Sequence, residues 1–306
     1  MIRLWHWIGR RIVLWAWLSL LLQVVLIGTG GAVRLTASGL GCPTWPTCTT
    51  ESFVPTAQLG IYGIIEFSNR MLTFVLSVVV ILVFLAAIQV RKERRDLFVL
   101  TLLQGVGVVL QAGIGGLSVL TKLSPQIVGV HFGLSCVLVV ITTMLVWRVL
   151  RGRPGSAAVP RWVIVAAWID AVFVAATVVL GILTTGSGPH AGDALTAKGL
   201  APRNGLNSEV IQTAHSIPAY VTFAFAIVFV IIAWTAKARP AWTISRRIAL
   251  GMLIVELAQI VVGLVQANTG LPIALVNIHL VLAALLVSAI SAFLLSLSKS
   301  GTIAEQ

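Results

Sequence analysis

The stretch Gly63-Ile-Ile-Glu-Phe-Ser-Asn-Arg-Met-Leu-Thr-Phe-Val-Leu-Ser-Val-Val-Val-Ile-Leu-Val-Phe-Leu-Ala-Ala-Ile-Gln-Val90 decides the fold. From Met71 to Val90 it runs without a charge, and roughly 20 apolar residues are what one helix needs to cross a bilayer. Seven further apolar runs lie near 12–33, 97–120, 126–149, 162–185, 209–235, 248–268 and 273–297. In a chain of 306 residues that is 58% hydrophobic and 10% charged, too little polar surface remains to coat a water-soluble domain. The expectation is an all-α integral membrane protein with eight transmembrane helices. Arg3, Arg10 and Arg11 ahead of the first run resemble a signal-peptide flank, but the length of that run and the lack of a small-residue cleavage site favour a retained helix.

The balance of 21 Lys+Arg against 9 Asp+Glu gives +12. Its distribution points to topology rather than nucleic acid. With the N-terminus inside, sixteen of the 21 cations fall on inner segments: Arg3, Arg10 and Arg11; Arg91, Lys92, Arg94 and Arg95; Arg148, Arg151, Arg153 and Arg161; Lys237, Arg239, Arg246 and Arg247; and Lys299. Arg34, Lys122, Lys198 and Arg203 are left outside, and Arg70 lies within a span. The positive-inside rule then puts both termini in the cytoplasm. Trp5, Trp7, Trp15, Trp147, Trp162, Trp234 and Trp242 sit near the inner boundary, where amphipathic rings are expected. Inner loops are short and basic. The outer segments 34–62 and 186–208 are long, rich in Gly, Pro, Thr and Ser, and suited to a lid or a partner contact. Three cysteines, with no Cys-x-x-Cys, His-Glu-x-x-His or P-loop pattern, exclude a disulfide scaffold, a zinc protein and a P-loop motor.

Cutting near Gly155 yields two comparable halves, 1–155 and 156–306, each expected to form a four-helix bundle. Gln111 precedes His131 by 20 residues and Gln259 precedes His279 by 20, with Gly115 and Gly263 at the same offset. Glu66-Phe-Ser-Asn69 lies opposite Gln212-Thr-Ala-His215, the halves being offset by 146 residues there and 148 at the histidines. Both halves begin by running outward, so the repeat is parallel, about an axis along the membrane normal.

Polar residues inside these spans carry the chemistry. His131, His215 and His279 each lie roughly 8 to 10 Å below the outer boundary at 1.5 Å per helical residue. One such histidine is most often an interhelical hydrogen-bond partner. Three at one depth, two of them related by the repeat, can hold haem iron instead, with His215 and His279 as an axial pair suited to electron transfer. In the first half Asn69 stands where the second histidine would be. Glu66, one turn earlier on the same face, is either a functional carboxylate or the ion-pair partner of Arg70, four residues on. Asp170 and Glu256 also lie within spans, as protonated packing residues or part of a proton route. Cys42 and Cys48, in a Pro-rich outer loop, read most simply as a disulfide, and Cys136 as an inert core residue.

The duplicated eight-span plan, the loop Ser38-Gly-Leu-Gly-Cys-Pro-Thr-Trp-Pro-Thr-Cys48, the run Glu66-x-x-Asn69-Arg70, the segment Thr185-Gly-Ser-Gly-Pro-His-Ala-Gly-Asp193 and the three histidines resemble the haem A synthase family over almost the whole chain. The resemblance implies oxidation of the methyl group at ring position 8 of haem O to a formyl group, giving haem A for terminal oxidases. It implies a resident haem b on His215 and His279 and the haem O substrate in the first half, with His131 as axial ligand and Glu66 near the reacting edge. Asn69, with Arg70 beside it, replaces the histidine of the family's Glu-x-x-His-Arg pattern. An electron donor is implied as partner. Haem O synthase, oxidase assembly factors and a second copy of the chain are further candidates, and the location is the cell membrane.

Three rival classes predict different residues. A haem-b electron-transfer subunit of the quinol or ferric reductase kind would need a second bis-histidine site, which Asn69 opposes. A transporter would show broken helices or charge near the membrane middle. A prenyl transferase making haem O would need paired Asp motifs, which the sequence lacks.

Overall fold

The computed structural model describes residues 2–189, 203–235 and 242–300. A short helix α1 (Ile2–Gly9) leads into α2 (Ile12–Leu35). After a 3-10 turn (Ala57–Leu59) come α3 (Gly60–Gln89), α4 (Arg95–Leu120) and α5 (Pro125–Arg151). Strand β1 (Pro154–Ala157) is followed by α6 (Arg161–Ser187), α7 (Ser208–Thr235), α8 (Trp242–Asn268), α9 (Ile273–Ser296) and strand β2 (Ser298–Ser300). Helices α2 to α9 are the eight long and apolar enough to cross a membrane, one for each expected run. The chain is an all-α multi-pass membrane protein.

Backbone chemistry sets the ends. Pro125 opens α5 at a position where a missing N–H costs nothing, and Gly152, at φ 76°, closes the same helix in a conformation that suits glycine. Pro160 and Pro272 instead cap α6 and α9 from just outside the helix, their carbonyls accepting from Val163 and Val276. Several features depart from the sequence reading. Helix α8 begins at Trp242 rather than near 248, because Trp242-Thr-Ile-Ser-Arg-Arg247 is too polar to register as apolar yet contains nothing that breaks a helix. Trp242 and Trp15 are buried instead of lying at a lipid boundary, whereas Trp5, Trp7, Trp162 and Trp234 are exposed. Arg34 falls in the last turn of α2 rather than in the outer loop. Helix α1 and the antiparallel β1–β2 pair, which joins the α5–α6 connection to the segment after α9, have no signal in hydropathy. Lys198, Lys237, Arg239 and the His190–Asp193 part of the second outer segment lie outside the described residues.

Packing follows the repeat. Contacts of α2 with α3, α3 with α4, and α4 with α5 recur as α6 with α7, α7 with α8, and α8 with α9. The halves meet through α2 on α9, mirrored by α6 on α5, and through α5 on α9 across the pseudo-twofold axis. Thr143 and Ser288 share a hydrogen bond of 2.8 Å across this seam. One apolar core runs through both halves, from Trp15 and Leu20 to Phe229 and Phe293. Ala16, Ala86, Ala87, Ala167, Ala226, Ala233, Ala249 and Ala284 are almost wholly buried, since small residues let helices approach where lipid offers no hydrophobic driving force. Val109, Val172 and Phe74 are strongly exposed, as a lipid-facing surface requires.

Candidate functional site

The three histidines come from equivalent heights. His131 is six residues into α5, His279 six into α9 and His215 seven into α7. Each ring lies against a glycine of another helix. A Cβ added at Gly115 would stand 3.2 Å from Cε1 of His131, at Gly263 3.2 Å from Cε1 of His279, and at Gly181 3.0 Å from Cε1 of His215. The first two pairs obey the repeat visible in the sequence. Gly181 was not singled out there, because it lies on α6 and pairs with a residue 34 positions away.

In the second half the imidazoles of His215 and His279 face each other with ring centres 6.3 Å apart and planes at 68°. Nδ1 of His215 lies 2.9 Å from the carbonyl oxygen of Thr177. A carbonyl can only accept, so Nδ1 carries the proton and Nε2 keeps its lone pair for a metal. Two imidazoles facing across this gap are the residue type that would hold a haem iron, and Gly181 and Gly263 leave the rings their room.

The first half is built differently. Thr29 on α2 donates its hydroxyl to Oδ1 of Asn69 at 2.7 Å. Thr29 is 148 residues before Thr177, so the same threonine position steadies the residue opposite in both halves, by its hydroxyl in one and its carbonyl in the other. His131 lines the same cavity from α5. Gln111 donates through Nε2 to the backbone carbonyl of His131 at 2.9 Å and also to the Ser135 hydroxyl, fixing that turn of α5 rather than the ring.

Glu66 and Arg70 form the ion pair that the sequence left as one of two readings. Arg70 approaches Oε1 of Glu66 through one terminal nitrogen at 2.5 Å and through Nε at 3.2 Å. Oε2 of Glu66 accepts the backbone N–H of Cys42 at 2.6 Å. The guanidinium also donates to the carbonyls of Thr44 and Thr47, at 3.1 and 3.2 Å. Cys42 and Cys48 are joined in a buried disulfide. The pair thus clamps the cysteine loop over the N-terminal end of α3, and Trp45 from the loop packs on Gly116 of α4. Gly41 passes so close to the backbone of Tyr62 and Gly63 that any side chain at 41 would collide with it.

All six expected haem-site residues, Glu66, Asn69, Arg70, His131, His215 and His279, line one continuous cavity of about 980 Å³ that runs through both halves. That is the upper end of the range for pockets holding extended organic ligands. Glu256 also lines it, whereas Asp170 does not. Both are buried, and both oxygens of Asp170 lack a hydrogen-bond partner among the described residues. Cys136 is buried and unpaired.

The model of the COX15-CtaA family, described as cytochrome oxidase assembly protein, matches residues 13–62 and 56–291. The heme A synthase of Bacillus mycoides (strain KBAB4) is 35% identical over 135 residues, 43% of this chain and 42% of that protein. Those of Bacillus cereus (strain AH187) and Bacillus anthracis (strain A0248) are 34% identical over the same shares. The matched stretch therefore spans about two fifths of these relatives' own length. With the family match running from the start of α2 through most of α9, the chain belongs to the COX15-CtaA family of cytochrome oxidase assembly proteins.

Proposed function

We propose that the chain is a haem A synthase, an oxidoreductase that converts the methyl group at ring position 8 of haem O to a formyl group. The observation that carries this reading is the single cavity in which the facing imidazoles of His215 and His279 share space with His131, Glu66 and Arg70. The half 156–306 would hold a resident haem b on His215 and His279, and the half 1–155 the haem O substrate on His131. When bound, haem b supplies one-electron transfer toward the substrate site.

The chain's own residues have distinct tasks in this scheme. Thr177 fixes the tautomer of His215. His131 offers one nitrogen to the substrate, while Asn69, steadied by Thr29, offers no imidazole on the opposite wall and keeps that face accessible. Glu66 brings a fixed negative charge to the outer part of the cavity, where it can favour an electron-poor ring edge in a low-dielectric site and take up a proton. Arg70 keeps that carboxylate in place and holds the cysteine loop as a cover against water. The clustering of Arg91, Lys92, Arg94, Arg95, Arg148, Arg151 and Arg153 at the end opposite the disulfide supports cytoplasmic termini and a cell-membrane location. An electron donor, haem O synthase and oxidase assembly factors are the partners this function calls for.

The test is expression in a host that makes haem O, with extracted haems separated by chromatography. Haem A should appear with the wild-type chain and be lost with Glu66→Gln. Bound haem b with no haem A from the wild-type chain would instead favour an electron-transfer subunit.

A further inference from the structure

At the end of the molecule opposite the disulfide loop, the α3–α4 and α5–α6 connections meet in a cluster of arginines. Arg94 donates to both oxygens of Asp96, at 3.1 and 3.0 Å, and to the carbonyl of Arg148 at 2.7 Å. Arg153 reaches Asp96 at 3.6 Å and donates to the carbonyl of Glu93 at 2.7 Å. One carboxylate thus serves two guanidinium groups. Arg148 lies within electrostatic reach of Arg94, Arg153 and Asp96 but makes no salt bridge, and its Nε is buried without a hydrogen-bond partner among the described residues. Arg95, exposed at the first turn of α4, has no salt bridge either among those residues.

These groups surround a groove of about 390 Å³ between α4 and α5. Arg95, Arg148 and Arg153, with Asp96 among them, line its charged part, and Val99, Leu100 and Met144 its apolar part. From Val99 the groove continues onto the lipid-facing stripe Leu103, Val106 and Leu110, all strongly exposed at helical spacing.

The fold itself does not require this cluster. In the other half, 148 residues on, Trp242, Thr243, Ile244 and Ser296 stand in place of Arg94, Arg95, Asp96 and Arg148. There the same helix ends close with a buried Trp242 and a hydroxyl pair, Ser245 and Ser296, at 3.0 Å. Arg94, Arg95, Asp96 and Arg148 thus have no equivalents at these positions, while the second half carries Arg246 and Arg247 one turn further into α8, with Arg246 donating to the carbonyl of Ala233.

We propose that this groove is a binding site for an anionic phospholipid, its phosphate held by Arg95 and Arg148 and one acyl chain lying along Val99, Leu103 and Val106. Guanidinium forks match phosphate oxygens, and basic pockets between transmembrane helices suit anionic headgroups. A free phosphate would use the arginines but not the apolar stripe, so the joined surface selects the lipid.

The test is native mass spectrometry of the full chain in detergent, titrated separately with phosphatidylglycerol, phosphatidylcholine and inorganic phosphate. Phosphatidylglycerol should bind saturably at one site and phosphatidylcholine should not. The double variant Arg95→Gln/Arg148→Gln should weaken it roughly 25-fold, counting about fivefold for each arginine. Asp96→Asn should tighten it, because Arg94 and Arg153 lose their competing carboxylate; misfolding could not produce that gain. Equal binding of the two lipids, wild-type binding by the double variant, or weaker binding by Asp96→Asn would overturn the proposal. Displacement of phosphatidylglycerol by equimolar inorganic phosphate would assign the arginines to a soluble anion instead.

Discussion

Replacing Glu66 with Gln tests whether the carboxylate holds the cysteine loop in place. In the native protein the two oxygens of Glu66 accept the Cys42 N–H and two nitrogens of Arg70, all from within a buried site. A glutamine keeps one acceptor oxygen, which can serve the loop or the arginine but not both, and its amide turns a donor toward whichever is left. The loss is then one charge-assisted hydrogen bond, about 2–3 kcal/mol. The remaining Arg70 contacts to loop carbonyls do not compensate, since they are present in both proteins. Expressed as local opening of the loop, that energy raises amide exchange by roughly 30- to 150-fold. Hydrogen-exchange mass spectrometry on peptides covering residues 38–59, in detergent, reads it directly. The rise should be confined to the loop and the first turns of α3, with α6 to α9 unchanged. Exchange within threefold of wild type would refute the clamp and leave the disulfide and the seating of Trp45 as what orders the loop.

Further outcomes follow from the same geometry. His215→Ala or His279→Ala should abolish a low-spin haem signal, and Gly181→Val should do so with both histidines intact, because a side chain there enters the space of the His215 ring; an unchanged spectrum in Gly181→Val would mean that the ring has another pose. Asn69→His should convert the first-half haem to a low-spin form and slow its binding of carbon monoxide, whereas unaltered spectra would show that position 69 does not face the iron. Asp170→Val should raise thermal stability by about 1–3 kcal/mol by removing two oxygens buried without a hydrogen-bond partner among the described residues, and a lowered melting midpoint would show that the carboxyl has one.

Much of the site was legible because it obeys rules that act along the sequence. Helix depth is counted in residues, so the sequence alone places His131, His215 and His279 at one level. The repeat carried Gly115 and Gly263 with their histidines. A short Pro-rich outer loop made the Cys42–Cys48 bond the simple reading. What escaped depended on contacts between helices with no fixed offset. Gly181 touches His215 only because α6 and α7 run side by side, and Thr29 reaches Asn69 across 40 residues of chain. Both readings of Glu66 were open because a carboxylate four residues from an arginine fits a surface pair as well as a loop clamp. The deciding partner, the Cys42 amide, is visible only in three dimensions. Trp242 could not be told from an interfacial tryptophan because hydropathy assigns one value to a residue type and none to its neighbours.

The seam between the halves also says something about descent. Because α2 meets α9 as α6 meets α5, and α5 meets α9 across the axis, the contact is the self-complementary kind that a symmetric pair of four-helix chains would make. An ancestor of half this length could have assembled through that surface as a twofold dimer with two identical pockets. In such a dimer every substitution appears twice, so a change that suits one pocket is imposed on the other. Fusion into one polypeptide lifts that constraint. Asn69 can diverge from His215, and Arg148 from Ser296, each without a copy of itself across the axis.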